Sequence, residues 1–214
     1  MKTRLLIFTF LCSVLSWGQI AQFDFPAASS LVVSAKDANV TVSNMALSAG
    51  TIETNITTGA YFPNEPYVEE TGVWTSATQA AAKSFNFTIT ASPGYQFTIT
   101  NISFRAYATA AGPSAYGFAV GSTDIYSVNA PDSALAFINQ SVVGQTNLTT
   151  ANVKIQGWLN GSRSSTGSGV FRLDDVIISG TVTPISSNTI TTNTAIGGSP
   201  FCVNASTSVS VSVP

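Results

Sequence analysis

The sequence predicts an all-β protein, a jelly-roll-like antiparallel β-sandwich followed by a truncated second β domain. Three observations carry this reading. Apolar and polar residues alternate with period 2 in nearly every segment, Gly, Pro, Asn and Ser separate those segments, and no stretch repeats at helical spacing. Of the 214 residues 44% are hydrophobic, enough to build a core, so a charged fraction of only 8% does not signal disorder. Ser, Thr and Asn must then supply the soluble surface.

The chain opens with Lys2 and Arg4 ahead of an apolar run at 5–15, with Ser16 and Gly18 before a plausible cut ahead of Gln19. That is the pattern of a signal peptide over 1–18, and the run is too short to span a bilayer as a helix. Cys12 follows Leu11 rather than a small residue, which argues against a lipoprotein. The mature chain is expected to be secreted or displayed on the outer cell surface, with no transmembrane segment. Cleavage leaves Cys202 alone, so no disulfide can form within this chain. It also removes two basic residues and no acidic ones, taking the formal charge from −2 to −4. A mildly acidic surface excludes nucleic acid as a phosphate-bound partner.

Strands are expected at 21–25 and 40–47. Phe85, Phe87 and Ile89 alternate with Asn86, Thr88 and Thr90, and Tyr95, Phe97 and Ile99 do the same after Ser92-Pro93-Gly94. Matched runs around a Pro-Gly turn predict a hairpin. The second run changes phase near Asn101, where Ile102, Phe104 and Ala106 take over, so a bulge is expected there. Further strands are predicted at 116–120, 135–138, 153–159 and 171–182. The last begins after a Ser/Gly-rich loop, switches phase at Asp174 and Asp175, and is expected to end at Gly180. Residues 19–183 suit one sandwich domain. Residues 184–188 read as a linker. From 189 to 214 a new pattern starts, with Val209, Val211 and Val213 between serines, whose apolar face needs partners beyond Pro214.

Three pieces carry a resemblance: FDF at 23–25, GPSAYGFAVGS at 112–122 and STGSGVFRLDDVIISGTV at 165–182. Together they resemble a β-sandwich module near the N-terminus of large secreted proteins of type IX-secreting and related bacteria. Phe171, Arg172, Leu173, Asp174, Asp175, Val176 and Gly180 match its closing pattern. The tail from Thr189 is similar to the start of the immunoglobulin-like repeats that follow such modules. The resemblance implies architecture and an extracellular location rather than an activity. Asp132-Ser133-Ala134 also resembles the O-glycosylation tripeptide of these bacteria.

Two candidate sites follow from residue chemistry. Asp174 and Asp175, with Asp24 if the terminal strands pair, could converge their oxygens on a structural Ca2+. The alternative is that Arg172 pairs with Asp174. The second is a platform for an extracellular glycan or another cell-surface component. Aromatic rings stack on sugar faces while polar groups bond the hydroxyls, and YFPNEPYVEETGVW at 61–74 offers Tyr61, Tyr67 and Trp74 beside Glu69 and Glu70. Trp158 and Tyr116 are further rings, with a core role favoured for Trp158 beside Leu159. The sequence has no His, which excludes Ser-His-Asp and Cys-His catalysis and histidine-ligated zinc. Two carboxylates suffice for glycoside hydrolysis, but no pair is singled out. The expectation is a non-catalytic module for adhesion or carbohydrate binding, with a structural spacer for missing domains as the alternative.

Overall fold

The computed structural model describes residues 18–25, 31–48, 52–55, 67–161, 167–185, 189–190 and 209–210. The chain divides into two compact units between Thr183 and Pro184. The second unit contributes one described antiparallel pair, β14 (Thr189–Ile190) with β15 (Val209–Ser210). Among the described residues no helix is long and apolar enough to cross a membrane, which says nothing of β-barrels.

The first unit is two antiparallel sheets. The seven-stranded sheet runs β11 (Leu135–Ser141), β8 (Tyr95–Ala108), β13 (Ser168–Pro184), β1 (Gly18–Phe23), β2 (Ala35–Lys36). Here β6 (Tyr67–Val73) also pairs with β13, and β5 (Ile52–Asn55) pairs with β6. The six-stranded sheet runs β10 (Thr123–Asn129), β9 (Ala115–Val120), β12 (Thr150–Trp158), β7 (Lys83–Ala91), β3 (Val40–Val42), with β4 (Ala46–Leu47) also on β7. A 3-10 turn at Gln79–Ala81 precedes β7. The fold class read from the alternation is the one observed.

The inward set of each sheet meets in an aromatic core. Phe23 of β1 lies 4.7 Å from Phe87 of β7, and Phe171 of β13 lies 5.6 Å from Phe85 of β7 and stacks on Tyr116 of β9 at 6.0 Å. Each ring pair joins the two sheets, so truncating one leaves a cavity between layers that costs about 3–5 kcal/mol.

Two expectations are corrected here. The Pro93-Gly94 turn exists, with Tyr95 N–H donating to Ser92 O at 3.0 Å and Gly94 at φ +82°. The strands it joins are not a hairpin. β7 and β8 lie in different sheets, so the turn is a corner that carries the chain across the sandwich. Alternation with one face buried is the same in both arrangements, which is why the pattern cannot tell them apart. Gly180 does not end its strand either. It pairs with Gly18 mid-strand, and a Cβ there would stand 1.9 Å from Thr98 O, so glycine is required by the close passage of β8.

Candidate functional site

The centre of β13 is a junction. Ser168 to Leu173 pair with β6, and Val176 to Gly180 pair with β1, leaving Asp174 and Asp175 between the two partners. Burial changes phase there, from Phe171 and Leu173 to Val176 and Ile178. Asp175 sits at φ +49°, a left-handed conformation that Asp tolerates better than most residues and that marks an irregularity in the strand. Its N–H donates to Asp174 Oδ1 at 2.8 Å.

Arg105, from β8, holds both carboxylates: Nη2 pairs with Asp174 Oδ2, and Nε lies 2.9 Å from Asp175 Oδ2. Asp174 is 2% exposed, against 45% for the side chain of Asp175. Burial, then repulsion from Asp175, pushes the Asp174 carboxyl up to about 6, against the opposing Asp175 amide and Arg105. The terminal strands do pair, as the calcium reading required, with Phe23 opposite Val176. Asp24 is nevertheless engaged elsewhere. Its N–H donates to Ser34 Oγ at 2.9 Å, and Gln22 Nε2 donates to its Oδ1. Among the described residues no three Asp, Glu, His or Cys groups gather as a metal site would need. Beside Asp174 and Asp175 the positive charge is that of the Arg105 guanidinium. Arg172, the partner first expected for Asp174, bonds Glu69 Oε2 at 2.7 Å and lies over the Tyr107 ring at 5.3 Å.

Of the 61–74 candidates, Glu69, Glu70 and Trp74 are buried among other groups. Successive strand residues point to opposite faces, so Glu69 and Glu70 of β6 are separated by the sheet. Glu69, only 6% exposed, lies on the side of the sheet where it pairs with Arg172. Glu70 is fully buried beside Lys83, whose Nζ is 3.1 Å from Oε1. Burial raises the Glu70 carboxyl above its ordinary range, with Lys83 acting in the opposite direction. Lys83 in turn lies over the Trp74 ring at 4.8 Å. Trp74 is 2% exposed, donates its indole N–H to Gly169 O at 3.2 Å and meets Phe171 edge-on at 6.0 Å. A ring enclosed in this way has no face to offer a sugar. Trp158 and Tyr116 are buried as well. Tyr61 lies outside the described residues. The backbone of Tyr67 pairs with Asn55, and its side chain lies outside the described set.

One aromatic that the sequence reading passed over is exposed. Phe137, on β11, shows 66% of its surface, and Leu135 beside it 43%. Register places Phe137 opposite Arg105 and Asn139 opposite Ser103 on β8. Ile138 is buried, so Phe137 and Asn139 face outward, on the side where Arg105 meets Asp174 and Asp175. The missed signal was the strand's double apolar character: Leu135 and Phe137 alternate with Ala136 and Ile138, so both faces read as apolar.

No family model matches the chain, and no curated protein matches it. Among solved structures, the CBM36-1 domain of a multidomain xylanase from the hindgut metagenome of Trinervitermes trinervoides matches at TM-score 0.41 and 9% identity, covering 67% of this chain and 98% of that one. A carbohydrate-binding module CBM36 in complex with calcium and xylotriose matches at TM-score 0.37 and 13% identity, covering 67% and 99%. TmCBM61 in complex with β-1,4-galactotriose matches at 0.32 and 12%, covering 69% and 90%. At these scores the likeness assigns neither a family nor a ligand to this chain.

Proposed function

We propose that the chain is a non-catalytic module of a secreted or cell-surface protein that binds carbohydrate on the outer face of the seven-stranded sheet. The observation that carries the reading is Phe137, a ring 66% exposed among polar groups fixed on neighbouring strands. An exposed ring offers an apolar platform for the C–H face of a sugar. Asn139 and the Arg105 head group supply donors and acceptors for its hydroxyls at and beside the register position of Phe137. The Arg105–Asp174–Asp175 cluster and the Arg172–Glu69 pair hold this face in one geometry, which limits the ordering cost of binding. A non-catalytic role fits the carboxylates. Glu69 and Glu70 stand on opposite faces, each beside a basic side chain, so they cannot flank one glycosidic bond.

The test is calorimetric titration with xylotriose and β-1,4-galactotriose, the sugars in two of the compared structures. Phe137→Ala is expected to weaken binding at least tenfold while the unfolding midpoint holds, because an exposed side chain contributes little to stability. No affinity for any glycan in a broad screen would sink the reading in favour of a spacer that positions other domains.

A further inference from the structure

We infer that the open edge of β11 is a surface for self-association, where a second copy of this chain adds its own β11 antiparallel across a two-fold axis. The inference goes beyond the carbohydrate reading and does not depend on it.

β11 ends one side of the seven-stranded sheet, with β8 as its partner among the described residues. Val142 N–H donates to Thr100 O at 2.9 Å, so at period 2 the even-numbered positions turn their backbone groups toward β8. The N–H and C=O groups of Leu135, Phe137, Asn139 and Ser141 then point away from the sheet, a template for another strand. Edges are commonly guarded by shortness, charge, proline or a bulge. β10 has Asp124 with an irregular register beside it, β5 includes Glu53, and β2 is two residues long and includes Lys36. β3 and β4 are three and two residues long. β11 has none of these devices. Its LAFINQS runs seven residues in unbroken register with β8, without charge, proline or glycine. Phe137 on this strand and Val143 just beyond it are largely exposed.

Charge selects the partner. The chain is acidic, with formal net charge −2, so two copies repel except where their surfaces are neutral. Between Asp124 and Lys154 the only charged residue is Asp132. Pairing centred on Ile138 uses the whole strand. It sets Phe137 opposite the partner's Asn139 and Leu135 opposite the partner's Ser141, with the two copies of Asp132 at opposite ends of the contact. No like charges meet, and each outward-pointing backbone group faces another of its kind. Size sets the strength. Seven residues at ~3.3 Å each make a contact about 23 Å long and one sheet thick, well below the ~800 Å² per partner of a standard stable interface. The association is therefore weak and concentration-dependent. It places the two Phe137 residues as diagonal neighbours ~7–8 Å apart on one continuous face.

The experiment is sedimentation velocity of the full chain, without sugar, from about 5 µM to about 1 mM, the span over which so small a contact associates. The wild type is expected to pass from monomer to dimer. Asn139→Pro removes an N–H that points to the open edge and spares those bonded to β8. Leu135→Lys combined with Ser141→Lys sets lysines opposite one another across the axis, where like charges repel. Each variant is expected to associate at least tenfold more weakly, with circular dichroism and the melting midpoint at low concentration showing that the fold persists. The double lysine variant carries the test should the proline disturb the strand. Hydrogen exchange at the amides of Phe137, Asn139 and Ser141 should slow with concentration in the wild type but not in the double lysine variant. A wild type that stays monomeric throughout overturns the inference, as does a dimer that survives both changes. Growth past the dimer overturns the two-fold pairing, because that contact closes on itself. Since no sugar is present, none of these outcomes bears on the carbohydrate reading, which the sugar titration judges separately.

Discussion

Replacing Asp174 by Asn should flatten the dependence of stability on pH. Asp174 is almost completely buried, and its carboxyl is pushed up to about 6 from 3.8 by burial and by Asp175. The folded chain therefore binds this proton more tightly than the unfolded chain does. The stability it contributes is fully present below 3.8 and is lost as pH rises through about 6. A shift of about two units corresponds to about 3 kcal/mol, at about 1.4 kcal/mol per unit. Urea unfolding followed by tryptophan fluorescence between pH 7.5 and pH 4.5 reads it, at values above the ordinary carboxylate range. The wild type should gain stability on acidification over that window, with Glu70, also raised by burial, adding a gain of the same sign. Asn keeps the shape and a hydrogen-bonding oxygen but does not titrate, so Asp174→Asn should lose most of the Asp174 share of the slope. A wild type that weakens steadily from pH 7.5 to pH 4.5 would refute the reasoning. So would an Asn variant with an unchanged slope.

Three other expectations follow from named contacts. Lys83→Met leaves the Glu70 carboxylate buried without its cation and should cost about 3–5 kcal/mol in urea unfolding, with Glu70→Gln in the same chain restoring much of it. Gly180→Ala drives a Cβ to 1.9 Å from Thr98 O, so β8 and β13 must separate, and the midpoint should fall sharply or the chain fail to fold, whereas Gly94→Ala, with open space around its Cβ, should cost only the strain of its positive φ. Calcium against excess chelator should leave the midpoint in place, because Arg105 already pairs with both Asp174 and Asp175; a rise abolished by Asp175→Ala would show that a cation competes with the guanidinium.

Much of the fold was legible because a sandwich core is built from period-2 alternation, and Phe85, Phe87, Ile89, Phe97 and Ile99 announce their burial directly. Phase changes were legible too. Those at Asn101 and at Asp174–Asp175 both correspond to changes in the burial pattern of their strands. Pairing was not legible, since the Pro93-Gly94 turn fits a hairpin and a sheet-crossing corner equally. The candidate site was read less well for a related reason. Residue type suggested Trp74, Glu69 and Glu70 as ligand groups, but burial decided their role, and burial depends on which strands lie beside β6. Phe137 went unremarked because sequence cannot say which apolar set of a two-sided strand meets the other sheet.

The two outer faces of the sandwich are unlike each other, and the difference argues for where a ligand would sit. The outward positions of β7 and β12 include Asn86, Thr88 and Thr90 opposite Lys154, Asn152 and Thr150, a surface whose one charged member in that set is Lys154. Solubility explains such a face without further purpose. The outer face of the seven-stranded sheet instead concentrates Arg105, Arg172, Glu69, Asp174 and Asp175 in pairs beside an uncovered Phe137. Asp174 and Glu69 are nearly buried on this face, where desolvation offsets much of what pairing returns, and the raised Asp174 carboxyl indicates that its burial weakens the fold near neutral pH. Stability alone therefore does not account for this cluster. A rigid polar frame around an exposed ring is what carbohydrate recognition requires, which is why the costly arrangement and the proposed platform belong to one explanation.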